Sequence, residues 1–161
     1  MTEAFVGIGS NVRPEEHVRQ AVKLMRERFG RLRLSPVYRN KAVGFEGDDF
    51  LNLVAAFDTD LGAEELNAAL DEIELRCGRQ RGAARFAPRT LDLDLLLYGE
   101  RVDPALRLPR KEILEYAFVL KPLMELVGGH RHPATRMTYK EHWARFQGDK
   151  SGLTAMELPD L

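Results

Sequence analysis

The apolar patterning of this chain predicts an α+β fold: a ferredoxin-like βαββαβ sandwich, an antiparallel sheet with helices packed on one face, extended by helical material at the C-terminal end. Three observations predict it. Two long segments repeat apolar residues at helical spacing and stop at Gly, four shorter ones read as strands, and the order is strand, helix, strand, strand, helix, strand.

The first strand is Ala4 to Gly9, an apolar run closed by Ser10-Asn11 as turn and cap residues. Pro14 suits a first helical position, Glu15 and Glu16 suit the first turn, and Val18, Ala21, Val22, Met25 and Phe29 mark one helical face up to Gly30. Leu32 to Tyr38 and Phe50 to Phe57 read as strands on either side of a loop over 40–49. Ala63 to Cys77 is the second helix, with Leu66, Leu70, Ile73 and Cys77 as its apolar stripe and Gly78 as its stop. Thr90 to Tyr98 is the fourth strand, and Tyr116 to Val127 is expected as a helix broken at Pro122. Residues 1–146 form a single domain in this reading and 147–161 a loose tail.

Composition narrows the function. At 161 residues the chain can bury about 70% of its unfolded surface and support one core without staples. Cys77 is the single cysteine, so disulfides are excluded and a cytoplasmic location is expected. With 24 Lys+Arg against 25 Asp+Glu, a net charge of -1 argues against a protein that coats nucleic acid or a membrane surface. No apolar stretch has the length of a signal core or a membrane span. The expected partners are small molecules, with neither nucleic acid nor membrane, and the expected state is a monomer.

The local charge pattern is far from even. Arg76, Arg79, Arg81, Arg85 and Arg89 place five cations in fourteen residues, with no acid between Leu75 and Leu91. Such a loop repels itself unless an anion is near, and the planar Arg fork suits bidentate contact with phosphate. Gly78, Gly82, Ala83 and Ala84 suit a lid that orders around its ligand. Immediately after it, strand alternation sends Leu91, Leu93, Leu95 and Leu97 to one face and Asp92, Asp94, Leu96 and Tyr98 to the other. Residues two apart on a strand lie about 6.5 Å from each other, so both carboxylates can converge on a cation. Two carboxylates that leave coordination positions open suit Mg²⁺, which takes its remaining oxygens from water and substrate phosphates. The pairing of the two features points to a polyphosphate held with Mg²⁺. Gly7-Ile8-Gly9-Ser10-Asn11-Val12 lacks the third Gly of a dinucleotide fingerprint and no Gly-x4-Gly-Lys-Ser/Thr occurs, so a nucleotide would need another scaffold.

Arg85-Phe86-Ala87-Pro88-Arg89-Thr90-Leu91-Asp92-Leu93-Asp94-Leu95-Leu96 resembles the signature of the 6-hydroxymethyl-7,8-dihydropterin pyrophosphokinases of folate biosynthesis. Gly7-Ile8-Gly9-Ser10-Asn11, Val37-Tyr38-Arg39, Phe50-Leu51-Asn52, Ile73-Glu74 and Ala117-Phe118-Val119-Leu120-x-Pro122-Leu123 are similar to that family in order and spacing. The resemblance implies transfer of diphosphate from ATP to the pterin hydroxymethyl group with release of AMP. It implies Asp92 and Asp94 as ligands of two Mg²⁺ ions, and Arg79 and Arg89 beside them as catalytic residues. Glu74, Arg79, Arg81, Arg89, Leu95, Arg110 and Lys111 would bind ATP. Phe50 and Phe118 would sandwich the pterin, Asn52 would bond its edge, and Asn40, Lys41 and Val43 would line the pocket. The chain departs from the common family pattern at Asn40-Lys41-Ala42, at Phe86, and at Arg110-Lys111, where His and an aromatic often stand. The rival readings are a paralogue acting on a related pterin, a kinase transferring the γ-phosphoryl group, and an RNA-binding ferredoxin-like module, which would have to tolerate two carboxylates at the centre of its sheet. His130, His132 and His142 have no Cys or carboxylate at ligand spacing and read as a polar loop, and Tyr139, Trp143 and Phe146 read as packing.

Overall fold

The structure is a computed structural model that describes residues 1–41, 47–78 and 91–161. Strand β1 (Thr2–Ser10) lies at the centre of an antiparallel sheet, paired on one side with β4 (Phe50–Thr59) and on the other with β5 (Asp92–Tyr98). The strand order is β5-β1-β4-β3-β6, with the short β2 (Arg33–Leu34) also on β4. The predicted second strand is divided by Pro36 into β2 and β3 (Val37–Asn40). Ser35 carries the pairing through the break: its N–H donates to the Val54 carbonyl at 2.9 Å and its Oγ accepts from Val54 N–H at 2.8 Å. Counting β2 and β3 as one broken strand, the sheet has the ferredoxin-like order last, first, third, second.

Helices α1 (Pro14–Phe29) and α2 (Ala63–Arg76) pack on one face. Pro14 opens α1, and Gly30, at φ 86°, ends it by donating its N–H to the Arg26 carbonyl at 2.9 Å. Val18, Ala21, Val22 and Met25 of α1 and Leu66, Leu70 and Ile73 of α2 meet Ala4, Val6, Ile8, Leu51, Leu53, Phe57, Leu91, Leu93 and Leu95 in the main core. Phe29 stacks on Phe57 at 4.6 Å.

Further features differ from the sequence reading. The opposite face is not bare. Helices α3 (Glu112–Glu115), α4 (Ala117–Val127) and α5 (Tyr139–Arg145) close a second core around Phe5, Val54, Ala56, Leu96, Leu97, Ile113, Leu120, Leu123 and Tyr139. Helix α4 runs unbroken through Pro122, because burial of Leu120, Pro122 and Leu123 on the sheet offsets the missing N–H. Residues 147–161, expected as a loose tail, contain β6 (Thr154–Met156), which pairs with β3, and Leu158 enters the main core. That edge strand is three residues long and pairs through backbone hydrogen bonds, with only Met156 turned toward the core, so no apolar pattern announces it.

The face assignment on β5 holds only in part. A register shift between Phe5 and Val6 sets Leu97 opposite Phe5 and Leu95 opposite Val6, leaving Leu96 as the extra residue. Leu91, Leu93 and Leu95 enter the main core as read, but Leu97 joins Leu96 in the second core and Tyr98 turns to the first.

Candidate active site

Among the described residues, the second face of the sheet is apolar and covered at one end, and polar and partly exposed at the other. Across β5, β1, β4 and β3 the row Asp92, Gly9, Asn52, Tyr38 lies side by side, and the next row is Asp94, Gly7, Val54. Opposed residues of antiparallel strands share a face, so both carboxylates stand beside glycines. Glycine inside a strand costs about 0.5–1 kcal/mol relative to Ala, and two on one face of a central strand mark a floor that must stay low. A Cβ on Gly9 would lie 2.7 Å from Asn52 Oδ1, whereas one on Gly7 would meet Leu96 methyls at an ordinary 3.5 Å.

Next to this floor the amides are pre-set. Asn52 Nδ2 donates to Asn40 Oδ1 at 2.6 Å, and Asn40 Nδ2 donates to the Lys41 carbonyl at 3.1 Å. Asn40 sits opposite Phe50, which therefore shares this side of the sheet. Asn11 Nδ2 reaches the Asp48 carbonyl at 3.3 Å and ties the turn after β1 to the segment before β4. Phe118, in the first turn of α4, is half-buried and stacks on Tyr116 at 4.9 Å. Buried Tyr38 donates its hydroxyl to Glu125 near the end of α4, and Lys121 stands 3.6 Å from the same carboxylate. Burial first, then this bond and the Glu125 charge, raise the Tyr38 pKa well above the usual phenol value. Tyr38 is thus a neutral strut between β3 and the helix that carries Phe118.

The carboxylates are unequal: Asp92 is half-buried and the Asp94 side chain is 52% exposed. Arg110 approaches Asp94 with Nη1 at 3.9 Å. The guanidinium does not wander, since its Nε donates to the Leu95 carbonyl at 3.1 Å and the Arg110 backbone N–H donates to the Leu96 carbonyl at 2.9 Å.

Of the residues picked from sequence, Asp92, Asp94, Asn40, Phe50, Asn52, Phe118 and Arg110 lie on this side of the sheet. Glu74 is buried at the outer edge of β5, where its Oε2 accepts the Leu93 N–H at 2.7 Å. That bond satisfies an edge donor between the two aspartates. The Leu95 side chain belongs to the main core and only its carbonyl faces Arg110. Lys41 and Lys111 are exposed. Val43, Arg79, Arg81, Arg85, Phe86 and Arg89 lie outside the described residues. The sequence reading missed Gly7 and Gly9 as a floor, although their i, i+2 spacing opposite an Asp-x-Asp strand was the available signal. It also missed Tyr38 and Glu125, whose 87-residue separation leaves no local trace.

The histidines are engaged locally. His132 Nδ1 accepts the Ala134 and Thr135 N–H groups at 3.1 and 3.2 Å, and His142 Nε2 pairs with Thr135 Oγ1 at 2.7 Å.

The sequence pattern described as 7,8-dihydro-6-hydroxymethylpterin-pyrophosphokinase matches residues 5–128, from the first strand through α4. The chain belongs to that family. Among pyrophosphokinases it is similar to the 2-amino-4-hydroxy-6-hydroxymethyldihydropteridine pyrophosphokinase of Pseudomonas aeruginosa, 41% identical over 139 residues, 82% of this chain and 85% of that protein. The enzyme of the same name from Bacillus subtilis is 33% identical over 156 residues, 93% of each chain. A mitochondrial folate synthesis bifunctional protein of Pisum sativum is 37% identical over 160 residues, where this chain spans 30% of the longer protein. The fold matches wild-type HPPK-DHPS of Plasmodium falciparum with a TM-score of 0.71 at 10% identity, over 91% of this chain and 44% of that one. At that identity the likeness speaks to the fold alone.

Proposed function

We propose that this chain transfers diphosphate from ATP to the hydroxymethyl group of 6-hydroxymethyl-7,8-dihydropterin and releases AMP, the activity named for its bacterial relatives. The observation that carries the reading is the pair Asp92 and Asp94 beside Gly9 and Gly7 at the open end of the sheet, one strand away from the Asn52–Asn40 amide pair. The donor set fits Mg²⁺: two hard oxygen ligands on one face, one of them half-exposed, with space left by the glycines for water and phosphate oxygens. Two ions at Asp92 and Asp94 would neutralise the polyphosphate and make the pterin hydroxyl more acidic.

The chain's own residues position and orient. Asn52, its amide fixed by Asn40, presents a hydrogen-bonding edge to a heterocycle. Phe50 and Phe118 supply aromatic faces for its ring, and Lys41 and Val43 are assigned to the pterin pocket on the family resemblance. Arg110 and Lys111 stand on the ATP side of Asp94, with Glu74 holding β5 and Leu95 lending its carbonyl to Arg110. Arg79, Arg81 and Arg89 are assigned to the polyphosphate on their sequence pattern. Little covalent chemistry falls to the protein in such a transfer, so charge placement and in-line alignment set the rate. The site is composed within one chain, which supports a monomer acting on small molecules, and the single buried Cys77 supports a cytoplasmic setting. No helix among the described residues is long and apolar enough to cross a membrane.

The test is the identity of the nucleotide product. With ATP, Mg²⁺ and 6-hydroxymethyl-7,8-dihydropterin, phosphorus NMR should show AMP and a pterin diphosphate appearing in equal amounts. ADP as the product would overturn the reading.

A further inference from the structure

Arg110 places a fixed positive charge 3.9 Å from Asp94, and its side chain is only 12% exposed. Two contacts hold the guanidinium there, the Nε hydrogen bond to the Leu95 carbonyl and the ion pair itself, while the backbone N–H bond to the Leu96 carbonyl fixes the main chain beneath it. A flexible surface Arg would be solvated and would matter little. This one is anchored on the strand that carries both aspartates.

We propose that Arg110 is a specificity-determining residue that sets the order of assembly at the carboxylate pair: it lowers the affinity of the empty site for a free divalent cation, so that metal enters chiefly with the polyphosphate of the nucleotide. The proposal rests on the assignment of Asp92 and Asp94 as metal ligands. The physical basis is Coulombic. A cation approaching Asp94 meets a like charge that cannot swing away without giving up its hydrogen bond to the Leu95 carbonyl, whereas a nucleotide polyphosphate brings negative charge that Arg110 attracts. The same side chain therefore opposes metal alone and favours metal with nucleotide. Neighbouring Lys111 is exposed and adds a mobile charge of the same sign.

The experiment is Mn²⁺ binding to the full chain without nucleotide, followed by electron paramagnetic resonance, for wild type, Arg110→Met, Arg110→His at pH 8, and Arg110→Lys. Two neutral variants guard against loss of folding at this largely buried side chain, and circular dichroism identifies the folded ones. Removing the charge should tighten Mn²⁺ binding about tenfold, at the low end for a unit charge about 4 Å away in a partly solvated site. Arg110→Lys, which keeps the charge but loses the Nε anchor, should fall between wild type and the neutral variants. Tightening that is largest in the charge-removing variants supports the proposal. No tightening, or equal tightening in Arg110→Lys, overturns it. Loss of Mn²⁺ binding in Asp92→Asn and Asp94→Asn verifies the ligands separately, and AMP formation by wild type verifies the reaction, so failure of the Arg110 proposal is distinguishable from failure of the underlying assignment.

Discussion

The two faces of the same three strands are built for opposite ends. Toward α1 and α2, strands β1, β4 and β5 present Ala4, Val6, Ile8, Leu51, Leu53, Ala55, Phe57, Leu91, Leu93 and Leu95, none more than 5% exposed. Toward the other side the same strands present Phe5, Gly7 and Gly9, then Asn52, Val54 and Ala56, then Asp92, Asp94 and Leu96. Burial is complete on the first face, while on the second, among the described residues, it gives way to partly exposed Gly7, Asn52 and Asp92 and exposed Asp94. The difference shows where this sequence sets aside stability. A strand face that could have been sealed with apolar side chains carries instead two low positions and two carboxylates whose mutual repulsion opposes folding.

The comparison can be broken most severely at the carboxylates. Asp92→Asn or Asp94→Asn should lower AMP formation by about 10³-fold, the scale of losing a group that stabilises transition-state charge, with no loss of thermal stability. A variant that keeps wild-type turnover would remove that residue from the site. On the sealed face the effect should reverse in kind. Leu53→Ala should cost about 3 kcal/mol of unfolding free energy in chemical denaturation while turnover per folded molecule stays unchanged. A lowered kcat in that variant would mean that the two faces are not separable.

The glycines sharpen the contrast within the open face. Gly9→Ala drives a Cβ to 2.7 Å from Asn52 Oδ1, so Asn52 must turn away from Asn40. The KM for the pterin should rise about tenfold, as for one lost hydrogen bond. Gly7→Ala, with an ordinary contact to Leu96, should leave it near wild type. Equal effects from the two substitutions would refute the floor argument.

The smallest effect concerns the helical cover of the second face. Burial, with a contribution from nearby His142, lowers the His132 pKa below its usual 6.5. Its Nδ1 accepts two backbone N–H groups and so must be unprotonated. Below pH 6.5 the unfolded chain takes up a proton that the folded chain refuses, so the His132 contribution is complete above pH 6.5 and declines as pH falls toward the folded-state value. Denaturation midpoints measured from pH 8 to 5 should decline over that window in wild type and decline less in His132→Gln. Parallel profiles for the two proteins would show that His132 does not carry the dependence.

How much of this was legible in sequence follows from the range of each interaction. The helices α1 and α2 and their Gly stops are local patterns, and they were readable. The alternation of Leu91, Leu93 and Leu95 with Asp92 and Asp94 gave the correct faces, because period-two logic holds until a bulge intervenes at Leu96. Past it, Leu97 and Tyr98 exchange faces, and nothing in their identities says so. Strand β6 left no periodicity, since three residues held through backbone bonds, with only Met156 against the core, are too few to carry one. The aromatic and amide residues of the site were reached through family resemblance. Their arrangement was not, because the Asn40–Asn52 bond, the Tyr38–Glu125 strut and the anchoring of Arg110 on β5 each join segments far apart in the chain.

The most direct test of the central claim is a crystal structure with Mg²⁺, a non-hydrolysable ATP analogue and 6-hydroxymethyl-7,8-dihydropterin. The account predicts metal density on the carboxylates of Asp92 and Asp94 above Gly7 and Gly9, with the pterin ring against Phe50 and Phe118 and its edge on Asn52. Metal and nucleotide bound away from that end of the sheet, or a pterin lodged under α4 and α5, would contradict it.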